Sequence, residues 1–222
     1  MVRKVRHPVK ISELKKRKKK EQAKQAEKKT EALKEIKLSR KLDENVAKIR
    51  QILGNSDDLV IRNFMLAGNP EKKAAIVFID GLINATLIDD YILKSLMFHT
   101  RQPTDEKPET SAPTLVNQLS SSGLTINEVG QANDFQQIIR SLLSGDTILL
   151  VDGEEMALFM NTKGWERRAV QEPNTEAVVR GPRDGFTETM RVNTALIRLR
   201  LKDPDLRVKN MTVGKRTNTD IA

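Results

Sequence analysis

Cysteine is absent from the 222 residues, which removes disulfides, thiolate metal ligands and cysteine nucleophiles together and fits a reducing compartment. Aromatic residues make up only 4% of the chain, too few for a base-stacking platform or an aromatic carbohydrate cleft. The two histidines, His7 in a basic segment and His99 beside a proline-rich loop, have no spacing that would hold a metal. No glycine-rich loop closes on Lys-Ser/Thr or links a strand to a helix, so nucleotide-dependent chemistry has no support and no cofactor is expected. The longest apolar runs, Ala74–Ile79 and Ile148–Val151, are strand-sized, far below the roughly 20 residues of a membrane helix. A Lys/Arg run follows Ile11 where a secretory signal would need an apolar stretch.

What is present is a 38% hydrophobic chain rich in Leu, Ile, Val and Ala, enough for one or two compact domains. The formal charge of +9 is unevenly placed: residues 1–50 carry 19 Lys/Arg against 7 Asp/Glu, and the remainder is slightly acidic. The basic character therefore belongs to a tail, taken as residues 1–41, which has no continuous apolar stripe and reads as solvated. Its run Lys15–Lys20 suits the phosphates of nucleic acid or an anionic membrane surface. The neutral-to-acidic remainder argues against nucleic acid.

From Leu42 the pattern changes. Leu42, Val46, Ile49, Ile52 and Leu53 fall on one helical face, with Asp43 as the expected cap and Gly54 at the left-handed terminus. Leu59–Leu66 and Ala74–Ile79 read as strands joined by a turn at Ala67–Glu71. A helix is predicted over 86–97 with Asp89 and Asp90 at its positive end, and Gln102–Pro113 as a loop. A short helix at 114–119 and a weak strand at 125–129 follow. Asp134 caps a helix carrying Phe135, Ile138, Ile139, Leu142 and Leu143; Asp146–Val151 and Met156–Met160 are strands joined at Asp152-Gly153; and a turn at Gly164-Trp165 leads to Arg168–Gln171. The carboxylates Asp152, Glu154 and Glu155 cluster at that hairpin, but turn chemistry accounts for Asp152-Gly153 and no general acid is assigned. A last helix over 187–201 is marked by Phe186, Met190, Ile197 and Leu201, with Thr187 available as its cap, before a strand over Leu206–Val213.

At a constant offset of 147 residues, Leu59–Ala75 aligns with Leu206–Ala222 with three of 17 positions identical. This implies a second, incomplete copy ending in a hairpin with an exposed edge. The expected fold class is mixed α/β with two subdomains, 42–130 and 131–222, the second shortened, preceded by the basic tail.

The stretch Glu172–Thr189 is a loop, a Gly-Pro turn and an Asp-Gly turn leading into a helix. On that helix Arg191 and Arg198 share a face, and Asn193 and Thr194 interrupt the apolar stripe, so a polar side chain there should bond back to the preceding loop. Arg180, Gly181, Pro182, Arg183, Gly185, Phe186, Arg191 and Asn193 are the candidate coupling or ligand-binding residues, with anchoring of loop carbonyls as the plain structural reading.

Glu176–Thr189 with Asn193–Arg198 resembles the signature of the spore germination GerA family, the A subunits of nutrient germinant receptors. Ser144–Gly153, Gly164-Trp165-Glu166, Phe78–Gly81, Leu87-Ile88 and Tyr91–Lys94 match it as well. The resemblance covers about residues 57–222 and leaves out the basic tail. It implies a non-enzymatic cytosolic domain of two α/β subdomains, joined in a full-length subunit to a multi-span membrane part and working with B and C subunits and other A subunits at the spore inner membrane. Two readings stand beside signal transmission: a small nutrient or anion held in the subdomain cleft with Arg183 as its carboxylate partner, and nucleic-acid binding through the tail.

Overall fold

A computed structural model of the chain describes residues 31–67, 69–98, 116, 119, 128–164 and 185–222. The helices are α1 (Leu42–Leu53), α2 (Lys94–Phe98), α3 (Phe135–Leu142) and α4 (Met190–Arg200). The strands are β1 (Leu59–Leu66), β2 (Asn69–Ile79), β3 (Val129–Ala132), β4 (Thr147–Val151), β5 (Ala157–Met160), β6 (Met211–Val213) and β7 (Thr219–Ile221). The fold is mixed α/β, as the sequence predicts.

Five strands form one antiparallel sheet in the order β1-β2-β4-β5-β3. Both faces are covered, which is why β4 is buried at every residue and apolar from Ile148 to Val151 rather than alternating. On one face Leu42, Val46, Ile49 and Leu53 of α1 and Phe135, Ile138 and Leu142 of α3 pack on Ala75, Val77, Ile79, Ile148 and Leu150. On the other, Ile88, Ile92, Leu93 and Leu96 pack on Ala74, Ile76, Leu149, Val151, Leu158 and Met160. The period-two alternation of β2 and β4 thus sorts their side chains between two helical layers.

Several expectations are corrected. The predicted boundary at 130/131 falls inside β3, and strands from both sides of it share the one sheet. Among the described residues, β6 and β7 form a separate two-stranded sheet. The folded part also begins before Leu42: residues 31–35 are helical, Lys37 bridges to Asp134, Leu38 is buried, and Leu33 and Ile36 pack on the core. Three apolar residues too sparse for a stripe suffice because the segment also bonds to the chain at 133–135, through Leu38 N–H to Asn133 O and Phe135 N–H to Ile36 O.

Asp43 lies in the first turn of α1 rather than capping it. The cap comes from the β4–β5 turn, where Asp152 Oδ1 accepts the Leu42 N–H at 3.0 Å. Glu155 pairs with Arg40 at 2.9 Å, so two members of the carboxylate cluster hold the helix entry. Asp134 caps α3 as expected, accepting the Gln137 N–H at 2.8 Å, and Gly54 ends α1 in the left-handed region.

The helix predicted over 86–97 is π-wound over Leu87–Leu93 before α2, with the Lys94 N–H donating to Asp89 O five residues back. The strand predicted over Leu206–Val213 pairs only at Met211–Val213. Val208 and Asn210 instead give their backbone bonds to the turn after α1. The predicted tail contacts, the 102–113 loop, most of the 114–119 helix, most of the 125–129 strand and the 168–171 segment lie outside the described residues. Among the described residues no helix is long and apolar enough to cross a membrane, and no group of three metal-ligating side chains occurs.

Candidate functional site: the seam between α4 and the sheet

Antiparallel pairing sets Leu59 opposite Ile79, so the start of β1 and the end of β2 lie at the same edge of the molecule. There the Asp80 N–H donates to Asp58 O at 2.7 Å, bringing two aspartates side by side. The helix α4 lies over this end and answers both.

Arg191 Nη2 stands 2.6 Å from Asp80 Oδ1 in a half-exposed pair. Seven residues on, Arg198 is 1% exposed and donates to Asp58 through Nε (2.7 Å) and Nη2 (3.0 Å), a two-pronged contact with a carboxylate that is itself 6% exposed. Arg198 Nη2 also donates to Ser56 Oγ at 2.9 Å, and the Val208 N–H donates to the same hydroxyl at 2.7 Å. Between the two arginines Ala195 meets Gly81. A Cβ on Gly81 would lie 3.0 Å from the Ala195 Cβ and 3.2 Å from Arg191 O, and its φ of +83° already favours glycine.

The chain after α4 continues the grip. Arg207 Nη2 donates to Ile52 O at 3.1 Å, placing a cation on the C-terminal carbonyls of α1. Its guanidinium fills the space a side chain at position 54 would need. Lys209 Nζ reaches Asn55 O at 2.9 Å and Asp57 Oδ1 at 3.1 Å, while the Asn210 N–H donates to Asp57 Oδ2 at 2.7 Å. The Asn210 amide first, then the Lys209 ammonium, hold the Asp57 carboxyl below its ordinary pKa.

Of the candidate residues, Arg191 enters the seam directly. Asn193 organises the entry to α4: its Nδ2 donates to Thr187 O and its Oδ1 accepts the Thr187 N–H, both at 2.7 Å. The back-bonding polar side chain expected from the sequence is therefore Asn193, and Thr187 is its partner rather than the helix cap, a position taken by Thr189. Gly185 is half-buried in the approach to α4. Phe186 is 72% exposed and Leu201 54% exposed, so two of the apolar residues that mark the helix do not face the core. The reason is that α4 docks through its arginine and alanine face, where carboxylates await it. Arg180, Gly181, Pro182 and Arg183 lie outside the described residues.

Sequence reading missed Arg198 as a buried anchor, and Ser56 and Asp58 as its acceptors. The available signal was the polar run Ser56-Asp57-Asp58 between a helix stop and an apolar strand, together with an arginine seven residues from Arg191.

Beside the seam lies a cleft of about 480 Å³, bounded by Asn84, Thr86 and Gly164 on the sheet side and by Arg191, Val192 and Leu196 of α4. Its size suits a small molecule.

The family described as Bacillus/Clostridium GerA spore germination protein matches residues 47–222. The chain is 35% identical over 186 residues to spore germination protein GerLA of Bacillus cereus, a match covering 84% of this chain and 36% of that relative. It is 31% identical over 185 residues to spore germination protein KA of Bacillus subtilis, covering 83% and 32%. The crystal structure of the N-terminal domain of the A subunit of the Bacillus megaterium spore germinant receptor GerK3 is similar at a TM-score of 0.60 and 32% identity, over 83% of this chain and 64% of that one. The chain thus spans about a third of the length of the curated relatives it matches.

Proposed function

The chain belongs to the GerA spore germination family, and from that premise we propose that it is the assembling and signal-transmitting domain of a germinant receptor A subunit, without catalytic activity of its own. The observation that carries this reading is the seam itself. A buried two-pronged ion pair joins Asp58 at one end of the sheet to α4, and a half-exposed pair joins Asp80 to Arg191 beside it. A displacement of α4 would act on the sheet through these contacts and through Ala195 against Gly81 between them.

In this reading α4 and the loop before it couple the sheet to the rest of a receptor containing B and C subunits at the cytoplasmic face of the spore inner membrane. The basic tail lies on the anionic leaflet, and Arg180, Arg183 and Arg191 form the coupling surface. The test is a full-length receptor carrying Glu at Arg180, Arg183 and Arg191, singly and together. Loss of nutrient-triggered germination at unchanged receptor level supports coupling; unchanged germination sinks it.

A second reading is favoured by the cleft: a small anionic nutrient bound between Asn84, Thr86 and Arg191, with Arg183 as a further carboxylate partner. A ligand at 100 times its Kd should stabilise the chain by about 2.7 kcal/mol. A thermal-shift screen of candidate nutrients separates the two readings.

A further inference from the structure

The contacts that hold α4 are unevenly divided between its two ends. At the C-terminal end Arg198 is 1% exposed and bonded to both Asp58 and Ser56, and its Nη1 also donates to Asp203 O at 3.5 Å. The chain just beyond adds the bonds of Arg207, Val208, Lys209 and Asn210 to residues 52–57, with the Asp57 N–H donating to Val208 O at 3.0 Å. At the N-terminal end, the charged contact across the seam among the described residues is Arg191 with Asp80, whose side chains are 54% and 38% exposed. Between the ends Ala195 rests on Gly81.

Open space lies beside the weakly held half. The cleft of about 480 Å³ is lined by Thr189, Val192 and Leu196 of this half and by Ala85 and Thr86 across from them. Close packing resists displacement, and here it is interrupted. A buried, two-pronged ion pair is costly to separate, whereas a half-exposed one is worth little and weakens with salt. The start of the helix does not depend on the exposed pair. Asn193 ties Thr187 to the first turn by bonds that stay within residues 187–193. The same clasp opens α1, where Asn45 Nδ2 donates to Ser39 O (2.6 Å) and Asn45 Oδ1 accepts the Ser39 N–H (2.9 Å). Losing Asp80 therefore removes no bond of α4's own entry, and the helix turns as a rod instead of unwinding.

We propose that α4 is a lever, with the Arg198–Asp58 contact as its pivot and the Arg191–Asp80 pair as its latch. Breaking the latch swings the N-terminal end of α4 away from Gly81 and widens the cleft, while the C-terminal end stays seated on residues 52–58. Seven residues of helix place the latch about 10 Å from the pivot, so a turn of roughly 20° moves it by about 3–4 Å and moves Glu188 by about 5 Å. The cleft enters only as room for this motion.

The lever deepens the coupling reading by naming the motion that would be transmitted, and rests on that reading for its purpose. The experiment reads distances, not germination, so the two can fail separately. The full 222-residue chain has no cysteine, so introduced cysteines carry spin labels at chosen sites alone. One exposed pair, Ala85→Cys with Glu188→Cys, spans the latch end; another, Ala47→Cys with Lys202→Cys, reports on the pivot end. Pulsed electron resonance on the wild-type background should show a main Ala85–Glu188 distance and a minor longer one, the minor one growing as salt rises. Asp80→Asn should raise the ratio of long to short about two- to fivefold, and Asp80→Arg should raise it further. Asp80→Arg combined with Arg191→Asp should restore the wild-type ratio, because the latch is remade with its charges exchanged. The Ala47–Lys202 distance should stay fixed throughout. The salt series needs no change at the seam, so it stands even where a variant folds poorly. A latch-end distance that ignores both salt and Asp80→Arg, an exchanged pair that behaves like Asp80→Arg alone, or a pivot-end distance that shifts together with the latch end would overturn the proposal.

Discussion

Arg198 and Asp58 meet across 140 residues of sequence in a two-pronged contact shielded from solvent, with Ser56 Oγ and Asp203 O accepting further guanidinium bonds. Breaking such a pair from one side leaves a buried charge without compensation. Arg198→Leu should lower unfolding free energy by about 3–5 kcal/mol. Arg198→Leu combined with Asp58→Asn should recover part of that loss, since neither charge then remains. Urea titration of the single and double variants measures both, and additive losses would contradict direct pairing.

Acid should loosen the contact between Asp57 and the chain at 209–210 before it unfolds the sheet. The folded carboxyl lies below its ordinary value of 3.8, so between the two values the folded state holds fewer protons than the unfolded state. Its stabilising contribution is fully present above about pH 4 and is lost as pH falls through the lower, folded value. The Asn210 amide, bonded to this carboxylate, should lose hydrogen-exchange protection over that range. In Asp57→Asn the step should vanish.

Gly81 should tolerate no side chain. Gly81→Ala meets a positive φ and the crowding of Ala195 and Arg191 together, and a loss of about 1–3 kcal/mol is expected. Adding Ala195→Gly relieves only the crowding, so a thermal melt of the pair should show partial recovery. Full recovery would show that backbone strain is not involved.

The two asparagine clasps should be equivalent. Asn45→Ala and Asn193→Ala each remove a side chain that serves a backbone donor and a backbone acceptor, costing about 1–3 kcal/mol. Asn→Asp should not rescue either, because the carboxylate cannot donate to the carbonyl of Ser39 or Thr187. Calorimetry on the four variants checks this.

The sheet and its helices were legible because their signals are local: β-branched runs, a 3.6-residue apolar period at Phe135–Leu143, and an aspartate at the right place to cap. The seam was only half legible. Arg191 and Arg198 could be placed on one face from spacing, but their acceptors depend on strand register, which sets Asp58 beside Asp80 and which no short window encodes. The same limit hid the cap of α1. Asp43 has the right chemistry and position, yet Asp152 reaches the Leu42 amide from a turn that only the folded sheet brings near. The orientation of α4 is not legible from its apolar stripe, which is normally the buried one: here two carboxylates draw the arginine face toward the sheet and leave Phe186 and Leu201 in solvent.

The contact between Leu42 and Asp152 has a bearing on how the chain acquires its shape during synthesis. α1 leaves the ribosome 110 residues ahead of the carboxylate that completes its first turn, so the helix must wait for the later hairpin before its start is secured. Non-local closures of this kind slow folding, and a nascent chain stalled before Asp152 should expose the Leu42, Val46 and Ile49 stripe to chaperones.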